Sequence, residues 1–170
     1  MNDTEQTSAF QFVPHWKTEN TENDAVVLAF WKNENALTSE AQTQERLKQI
    51  VMHARDASGT VAGVSTAVAM LHPRVGQPMY YFRCFVGKQW RKTQLVGQLL
   101  KRTRNLLEKY AQDNDFPCVG MILELENDRF KEVGRKPVWK TLGGFVYIGK
   151  SQRNLDLRVA YFHGARLKKA

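Results

Sequence analysis

The chain has 170 residues, of which 42% are hydrophobic and 25% charged, and its formal net charge is +8 at pH 7. These values are typical of a globular protein that is long enough to bury a core of its own. No apolar run approaches the length that crosses a bilayer, which excludes a helical membrane protein. The N-terminal segment MNDTEQTSAF has the composition of neither a signal peptide nor a transit peptide. We therefore expect a cytoplasmic protein, with a disordered tail at residues 1–9 and a single domain at residues 10–170.

The cysteines and histidines indicate no metal centre. Cys84 and Cys118 both lie in apolar, strand-like runs, so we expect two reduced thiols in the core, as is usual in a cytoplasmic protein. The four histidines are scattered along the chain without the spacing of metal ligands.

The positive charge is unevenly distributed. Residues 57–107 contain eight basic residues and no acid, and the last 38 residues contain nine basic residues and one acid. A field of one sign attracts a polyanion, such as a phosphorylated cofactor, a nucleic acid or an anionic membrane surface. A solvated basic surface explains the C-terminal cluster equally well. We expect no membrane partner, and the chain lacks the interleaved aromatic and basic residues of a nucleic-acid-binding motif.

The hydrophobic pattern predicts a mixed α/β protein. It predicts strands at residues 10–17, 49–55, 60–71, 80–86, 117–125, 145–150 and 155–162. It predicts helices at residues 22–33, 38–47, 95–110 and, more briefly, 137–142, with a loose basic tail after residue 162. The turn at residues 56–59 predicts an antiparallel hairpin in the first half, and Gly63 indicates a bulge or close packing.

The stretch from Tyr80 to Tyr110 is the centre of this pattern. An aromatic and β-branched strand is followed by the basic loop Gln89-Trp90-Arg91-Lys92-Thr93-Gln94 and then by a helix that begins at Leu95. The loop places cations and free backbone N–H groups at a helix N-terminus. Such a site favours an anion, especially a phosphate.

Several motifs in this order resemble the GNAT superfamily, the Gcn5-related N-acetyltransferases, over about residues 10–162. Val86 is followed by Trp90-Arg91, and Leu99-Leu100 closes the pattern, so Arg91-Lys92-Thr93-Gln94-Leu95-Val96 occupies the family's R/Q-x-x-G-x-G/A loop. Gln94 and Val96 stand where the family carries small residues, and Gly97 follows directly. The segment from Trp139 to Phe145 resembles the family's Tyr-x-x-Leu-Gly-Phe segment, and Gly63 matches a common Val-Gly.

The resemblance implies a mostly antiparallel sheet that is splayed between the strands at 80–86 and 117–125 and flanked by helices. It implies that the basic loop binds the pyrophosphate of acetyl-CoA and that the strand before it pairs with the pantetheine. The implied cofactor-binding residues are Cys84, Phe85, Val86, Arg91, Lys92, Thr93, Gln94, Leu95, Val96, Gly97, Asn127 and Trp139.

The predicted catalytic residues are Glu124, Glu126 and Tyr81. The two glutamates are two apart on a strand, so they share a face and either could accept the proton of an ammonium. A solvated strand end would account for them without a function. Tyr81 is a candidate for lining the acceptor site.

The preferred function is an acetyl-CoA-dependent N-acetyltransferase that acts by direct transfer to a primary amine. A catalytically inactive GNAT-fold binding module is the first alternative, because Gln94, Val96 and Trp139 depart from the family pattern. A nucleic-acid-associated basic protein is the second. The acceptor, the acyl chain length and the oligomeric state, a homodimer included, stay open.

Overall fold

A computed structural model of the protein describes residues 9–126 and 135–169. The helices are α1 (Thr21–Asn33), α2 (Glu40–Leu47) and α3 (Leu95–Asp113). The strands are β1 (Gln11–Pro14), β2 (Ile50–Arg55), β3 (Val61–His72), β4 (Gln77–Val86), β5 (Gly120–Leu125), β6 (Val138–Trp139), β7 (Phe145–Lys150) and β8 (Asp156–Tyr161). In the described part of the chain, no helix combines the length and the apolar character needed to cross a membrane.

The strands form one mixed sheet, as the sequence predicts. The order across the eight described strands is β1-β2-β3-β4-β5-β8-β7-β6. β4 and β5 are parallel, with Tyr80 opposite Met121 and Tyr81 opposite Ile122. β5 pairs antiparallel with β8, and β8 with β7. Because parallel neighbours need a crossover connection, α3 links the ends of β4 and β5.

The predicted short helix at residues 137–142 is wrong. Val138 and Trp139 form β6, which pairs antiparallel with Val146 and Phe145 of β7. A single 3₁₀ turn, Lys140–Leu142, follows and ends at Gly143 with φ of 96°. Six residues are too few for a stable helix, and pairing with β7 buries Trp139 beside Phe145.

The contacts divide the chain into two compact units. The first comprises the described residues up to Thr66 together with Cys84–Leu99, and the second comprises Ala67–Arg83 and the described residues from Leu100 onward. The core of the first unit joins α1 to β2 and β3 through Val27, Phe30, Trp31, Ile50, Val61 and Val64. The core of the second unit is formed by Met79, Tyr81, Val119, Ile122, Leu157 and Val159.

The basic tail after residue 162 is tethered in the second unit, contrary to the prediction of a loose segment. The Gln77 side-chain amide donates to the Lys168 carbonyl at 3.0 Å, and its oxygen accepts from the Lys168 N–H at 2.7 Å. Gln77 thus pairs with the tail backbone as a neighbouring strand would.

Gly63 determines how closely α3 approaches β3 in the first unit. A methyl group at Gly63 would lie 3.0 Å from Leu99 Cδ1, 3.2 Å from Val86 Cγ2 and 3.3 Å from Leu95 Cδ2. The register between β2 and β3 also shifts beside Gly63, between Ala54 and Arg55. Both the bulge and the close packing that the sequence indicates are therefore present.

We predict that side chains at Gly63 destabilise the protein in proportion to their size. Gly63→Ala must displace neighbours by a few tenths of an ångström, whereas Gly63→Val overpacks the contact and should cost about 1–3 kcal/mol. The measurement is the free energy of unfolding in urea. Wild-type stability in Gly63→Val would contradict the packing described here.

A hydrogen-bonded histidine pair connects β1, β2 and α1 in the first unit. His15 Nε2 lies 2.7 Å from His53 Nδ1, and Arg55 Nε–H donates to His53 Nε2 at 2.9 Å. Because His53 Nε2 accepts, the proton of the neutral His53 ring lies on Nδ1 and points at His15. The His15 proton then lies on Nδ1, which is 3.7 Å from Asp24 Oδ1. The chain of donors therefore runs in one direction, from Arg55 to Asp24.

Burial disfavours the charged form of both rings. It lowers the pKa of His53 to about 4, with the charges of His15 and Arg55 acting in the same direction. Burial also lowers the pKa of His15, although Asp24 opposes this. Both histidines are neutral at pH 7 in the folded protein.

We predict that the protein loses stability as the pH falls from about 6.5 towards 4. In that window the unfolded chain binds protons that the folded chain does not, so the free energy of unfolding falls by at most about 1.4 kcal/mol per pH unit for each histidine. Urea unfolding at a series of pH values measures this. His53→Gln should flatten the dependence, whereas His163→Gln, at an exposed histidine, should not. Equal slopes in the two variants would contradict the prediction.

Candidate functional site

The predicted phosphate loop lies entirely in the first unit. β4 ends at Val86, the Gly87 N–H donates to the Ala62 carbonyl at 3.0 Å, and a 3₁₀ turn follows at Lys88–Trp90. A side chain at Gly87 would collide with the Trp90 ring at 2.8 Å. Glycine is needed here because the indole packs directly on the backbone.

Glu34, at the end of α1, supports the start of this loop. Its carboxylate accepts the Lys88 N–H at 3.2 Å. The Trp90 indole N–H donates to Asp56, at the turn between β2 and β3. Two acids from the first 56 residues thus hold the loop at its N-terminal side, and neither was expected from the sequence.

Part of the Arg91 side chain is engaged in contacts with β4. Its Nε–H donates to the Val86 carbonyl at 3.2 Å, and its guanidinium lies 5.8 Å from the centre of the Phe85 ring. The structure therefore brings together three predicted cofactor-binding residues, Phe85, Val86 and Arg91. The remaining guanidinium nitrogens of Arg91 are the part that an anion could contact.

Thr93 joins the loop to α3. Its hydroxyl donates to the Trp90 carbonyl at 2.6 Å and accepts the Leu95 N–H at 3.3 Å. The Gln94 carbonyl accepts from the Gln98 N–H at 3.1 Å, which begins the helical ladder. Among the described residues the N–H groups of Val96 and Gly97 have no acceptor, as expected for a first helical turn.

The predicted loop residues differ in what they can offer a ligand. Lys92 and Gln94 are exposed, as is Lys88, whereas Val96 and Gly97 are half-buried. The Leu95 side chain is fully buried, so it serves the core. The loop combines two exposed ammonium groups with the first-turn N–H groups of α3, and this donor set suits an anion.

Cys84 precedes this loop in β4. Burial of its thiol raises the pKa of Cys84 to about 12. The thiol is therefore protonated at neutral pH, and no nucleophilic role follows for it.

The predicted catalytic residues lie in the second unit, with Tyr81 on β4, Glu124 on β5 and Glu126 directly after β5. Arg153, in the turn between β7 and β8, contacts both glutamates: its Nη1 is 3.0 Å from Glu124 Oε2 and its Nη2 is 2.8 Å from Glu126 Oε1. The Glu124 side chain is 13% exposed and that of Glu126 61%. Glu124 is thus the more enclosed of the two carboxylates.

Tyr81 is buried next to this cluster. The Arg83 guanidinium lies 4.5 Å from the centre of its ring. Burial raises the pKa of the Tyr81 phenol, and the charge of Glu124 raises it further. Tyr81 therefore keeps its proton at neutral pH and can act as a hydrogen-bond donor.

Trp139 lies in the interior of the second unit. The Arg158 guanidinium stacks 4.2 Å from the centre of its indole, and Arg158 Nη2 donates to the Lys136 carbonyl at 2.9 Å. Burial lowers the pKa of Arg158. These contacts give Trp139 a packing role at β6. The predicted cofactor-binding residue Asn127 lies outside the described residues.

Sequence reasoning missed Arg153, Glu34 and the pair His15–His53. The pattern indicated a turn at Arg153, but nothing in it assigned this one of 25 basic residues to the two glutamates. Within the described ranges, no group of three or more His, Cys, Asp and Glu is placed to hold a metal ion.

Comparison with known proteins identifies the fold. No protein-family model matches the chain, and no curated protein is similar to it in sequence. Solved structures are similar. The ribosomal-protein-S5-alanine acetyltransferase from Vibrio fischeri has a TM-score of 0.63 at 13% identity, covering 93% of this chain and 96% of its own.

Two further solved structures are similar to the chain in fold. The acetyltransferase of the GNAT family from Streptococcus pneumoniae has a TM-score of 0.56 at 15% identity, covering 88% of this chain and 96% of its own. AtaTR bound with AcCoA has a TM-score of 0.59 at 12% identity, covering 91% of this chain and 94% of its own. At such low sequence identities a structural similarity shows the fold alone. The chain therefore has the fold of the GNAT acetyltransferases.

Proposed function

We propose that this protein is an N-acetyltransferase that transfers the acetyl group of acetyl-CoA directly to a primary amine of an unidentified acceptor. The observation that carries the proposal is the loop from Lys88 to Gly97, which presents two ammonium groups and the first-turn N–H groups of α3 on a GNAT fold. A solved structure of similar fold was determined with AcCoA, which supports the choice of co-substrate.

The loop binds the pyrophosphate of acetyl-CoA in this proposal. The N–H groups of Val96 and Gly97 donate to phosphate oxygens, and Lys88 and Lys92 add their charge. Gln94 is exposed, so its amide can donate to a phosphate in place of the missing small residue. Backbone groups of Cys84 to Val86 pair with the pantetheine amides, which requires no particular side chain.

Glu124 is the proposed base. The acceptor must lose a proton before its nitrogen attacks the thioester carbonyl carbon, and a carboxylate takes that proton. The carbonyl oxygen becomes an oxyanion, which a backbone N–H of β4 stabilises. The nitrogen of the tetrahedral intermediate releases its second proton to solvent, the carbon–sulfur bond breaks, and the CoA thiolate leaves and takes up a proton from solvent. Tyr81 donates a hydrogen bond to the acceptor, and the buried indole of Trp139 has no part in proton transfer.

A catalytically inactive acyl-CoA-binding module is the second candidate. The observation that favours it is the contact of Arg153 with both glutamates, which engages the lone pairs that a base would use. The two candidates share the acetyl-CoA site and differ in turnover.

We predict that acetyl-CoA raises the melting temperature and that the double variant Lys88→Glu/Lys92→Glu abolishes the rise. Ligand at about 100 times its Kd stabilises the folded state by about 2.7 kcal/mol, and reversing two charges repels the pyrophosphate. Differential scanning fluorimetry with acetyl-CoA measures the shift. Arg91 is unsuitable for this test because it also bonds to the strand.

Lys101 provides the matched control. It is an exposed lysine on α3 beyond the loop, so Lys101→Glu should leave the shift unchanged. An equal shift in wild type and in the Lys88→Glu/Lys92→Glu variant would exclude the assigned loop. No shift in the wild-type protein would reject both candidates.

We predict that Glu124→Gln lowers kcat by roughly a hundredfold while the thermal shift with acetyl-CoA is retained, because the amide cannot accept the proton. Release of CoA is measured with an alanyl peptide, lysine and an aliphatic diamine as acceptors. Glu126→Gln serves as the comparison, since the more exposed carboxylate should matter less. Acetyl-CoA binding without turnover of any acceptor would favour the inactive module.

A further inference from the structure

The turn between β7 and β8 holds Arg153 in a defined place. The Ser151 hydroxyl accepts the N–H groups of Arg153 at 3.2 Å and Leu155 at 3.3 Å. The Ser151 N–H donates to the Leu155 carbonyl at 2.8 Å, and the Asn154 N–H donates to the Ser151 carbonyl at 3.0 Å. Asn154 closes the turn with φ of 59°, a conformation that asparagine tolerates well. These hydrogen bonds therefore fix the backbone of Arg153 independently of its side-chain contacts.

The register of β5 and β8 brings this turn to the two glutamates. Glu124 lies opposite Leu157 and Leu125 opposite Asp156, so the turn projects beyond the C-terminal end of β5. Arg153 contacts the two carboxylates with different nitrogens, Nη1 and Nη2. A planar guanidinium can bridge two acids in this way, whereas a lysine ammonium offers a point charge.

The guanidinium of Arg153 reduces the electrostatic repulsion between the two carboxylates. Glu126 directly follows the last residue of β5, and its negative charge and that of Glu124 repel each other. A single guanidinium compensates both charges and limits how each side chain can turn.

We propose that Arg153 is a positioning residue, which holds the carboxylates of Glu124 and Glu126 in place and orients Glu124 towards the acceptor amine. The catalytic consequence of this inference rests on the proposed function, and its structural basis is the pair of contacts between Arg153 and the two glutamates. Arg153 itself does not touch the reacting atoms in this scheme.

Among the described residues of the second unit, the other charged groups near the glutamates do not replace Arg153. The guanidinium of Arg83 is stacked on Tyr81. Burial and Arg74 lower the pKa of His72, against the influence of Glu124, so His72 is neutral at pH 7. Lys150 is paired with Asp156. In the described part of the second unit, Arg153 is the cation in ion-pair contact with Glu124.

The first test is the pH dependence of kcat/KM in Arg153→Gln. We expect the acid limb of the profile to move up by about one pH unit and kcat to fall roughly tenfold, with the KM for acetyl-CoA unchanged. Lys150→Gln is the control, because it removes a cation of the same hairpin that pairs with another acid. Arg153→Lys should restore the acid limb but leave kcat lowered, since it keeps the charge and loses the bridge.

An opposite result would overturn the proposal. If Arg153→Gln raised kcat, or lowered the KM for the acceptor, Arg153 would be a competitor of the ammonium rather than a positioning residue. An unchanged profile would exclude any role for it.

The second test does not depend on activity. The side-chain carboxyl carbons of glutamate are titrated by NMR in protein labelled with ¹³C-glutamate, and the two signals are identified by their loss in Glu124→Gln and Glu126→Gln. We expect one of them to titrate at higher pH in Arg153→Gln but not in Lys150→Gln. Identical titrations in wild type and Arg153→Gln would overturn the charge compensation even if the protein proved to be no enzyme. A shifted titration without turnover would retain it and reject the proposed function.

Discussion

The close contact of α3 with the bare backbone of Gly63 is the constraint on which the candidate phosphate site depends. Leu95 and Leu99 are fully buried against β3, and the helix can approach this closely because no side chain intervenes. The position of Leu95 determines where the first turn of α3 lies, and hence where the N–H groups of Val96 and Gly97 are presented. The orientation of an anion site made largely of backbone donors depends on such packing, because the N–H groups of the first turn point along the helix axis.

In this basic chain, the few acids are placed where they organise local structure. Glu34 follows the last turn of α1, where the helix dipole disfavours a carboxylate, yet there it accepts the Lys88 N–H. Glu124 and Glu126 are compensated by one arginine from the adjoining hairpin. Exposed ion pairs contribute little to stability, so the Arg153 contacts matter for the positions of the two carboxylates rather than for the free energy of unfolding. They determine how the two carboxylates are arranged at the end of β5.

Two further polar groups are buried in the core, each satisfied in its own unit. The pair His15–His53 is joined by a hydrogen bond, and His15 Nδ1 lies 3.7 Å from Asp24 Oδ1. Arg158 donates to backbone carbonyls at residues 136 and 137 and stacks on Trp139. Burying such groups costs free energy unless their hydrogen bonds are made, and the contacts made here connect strands to the segments beside them. Because burial lowers the pKa of both histidines, we expect the first unit to be sensitive to acid.

The amino-acid sequence by itself determined the order of most elements and the location of the candidate phosphate loop. Hydrophobic period, turn residues and caps are local properties, so the strands, the long helix and the special role of Gly63 could be predicted from them. The short segment at residues 137–142 could not, because six residues carry too little local preference and its strand pairing with β7 prevailed. Only the tertiary structure decided that Arg91 bonds back to Val86, that Trp139 lies beneath Arg158 and that Arg153 bridges the two glutamates. Local sequence carries no signal for these contacts, because they are made by register and packing, which only the folded chain supplies.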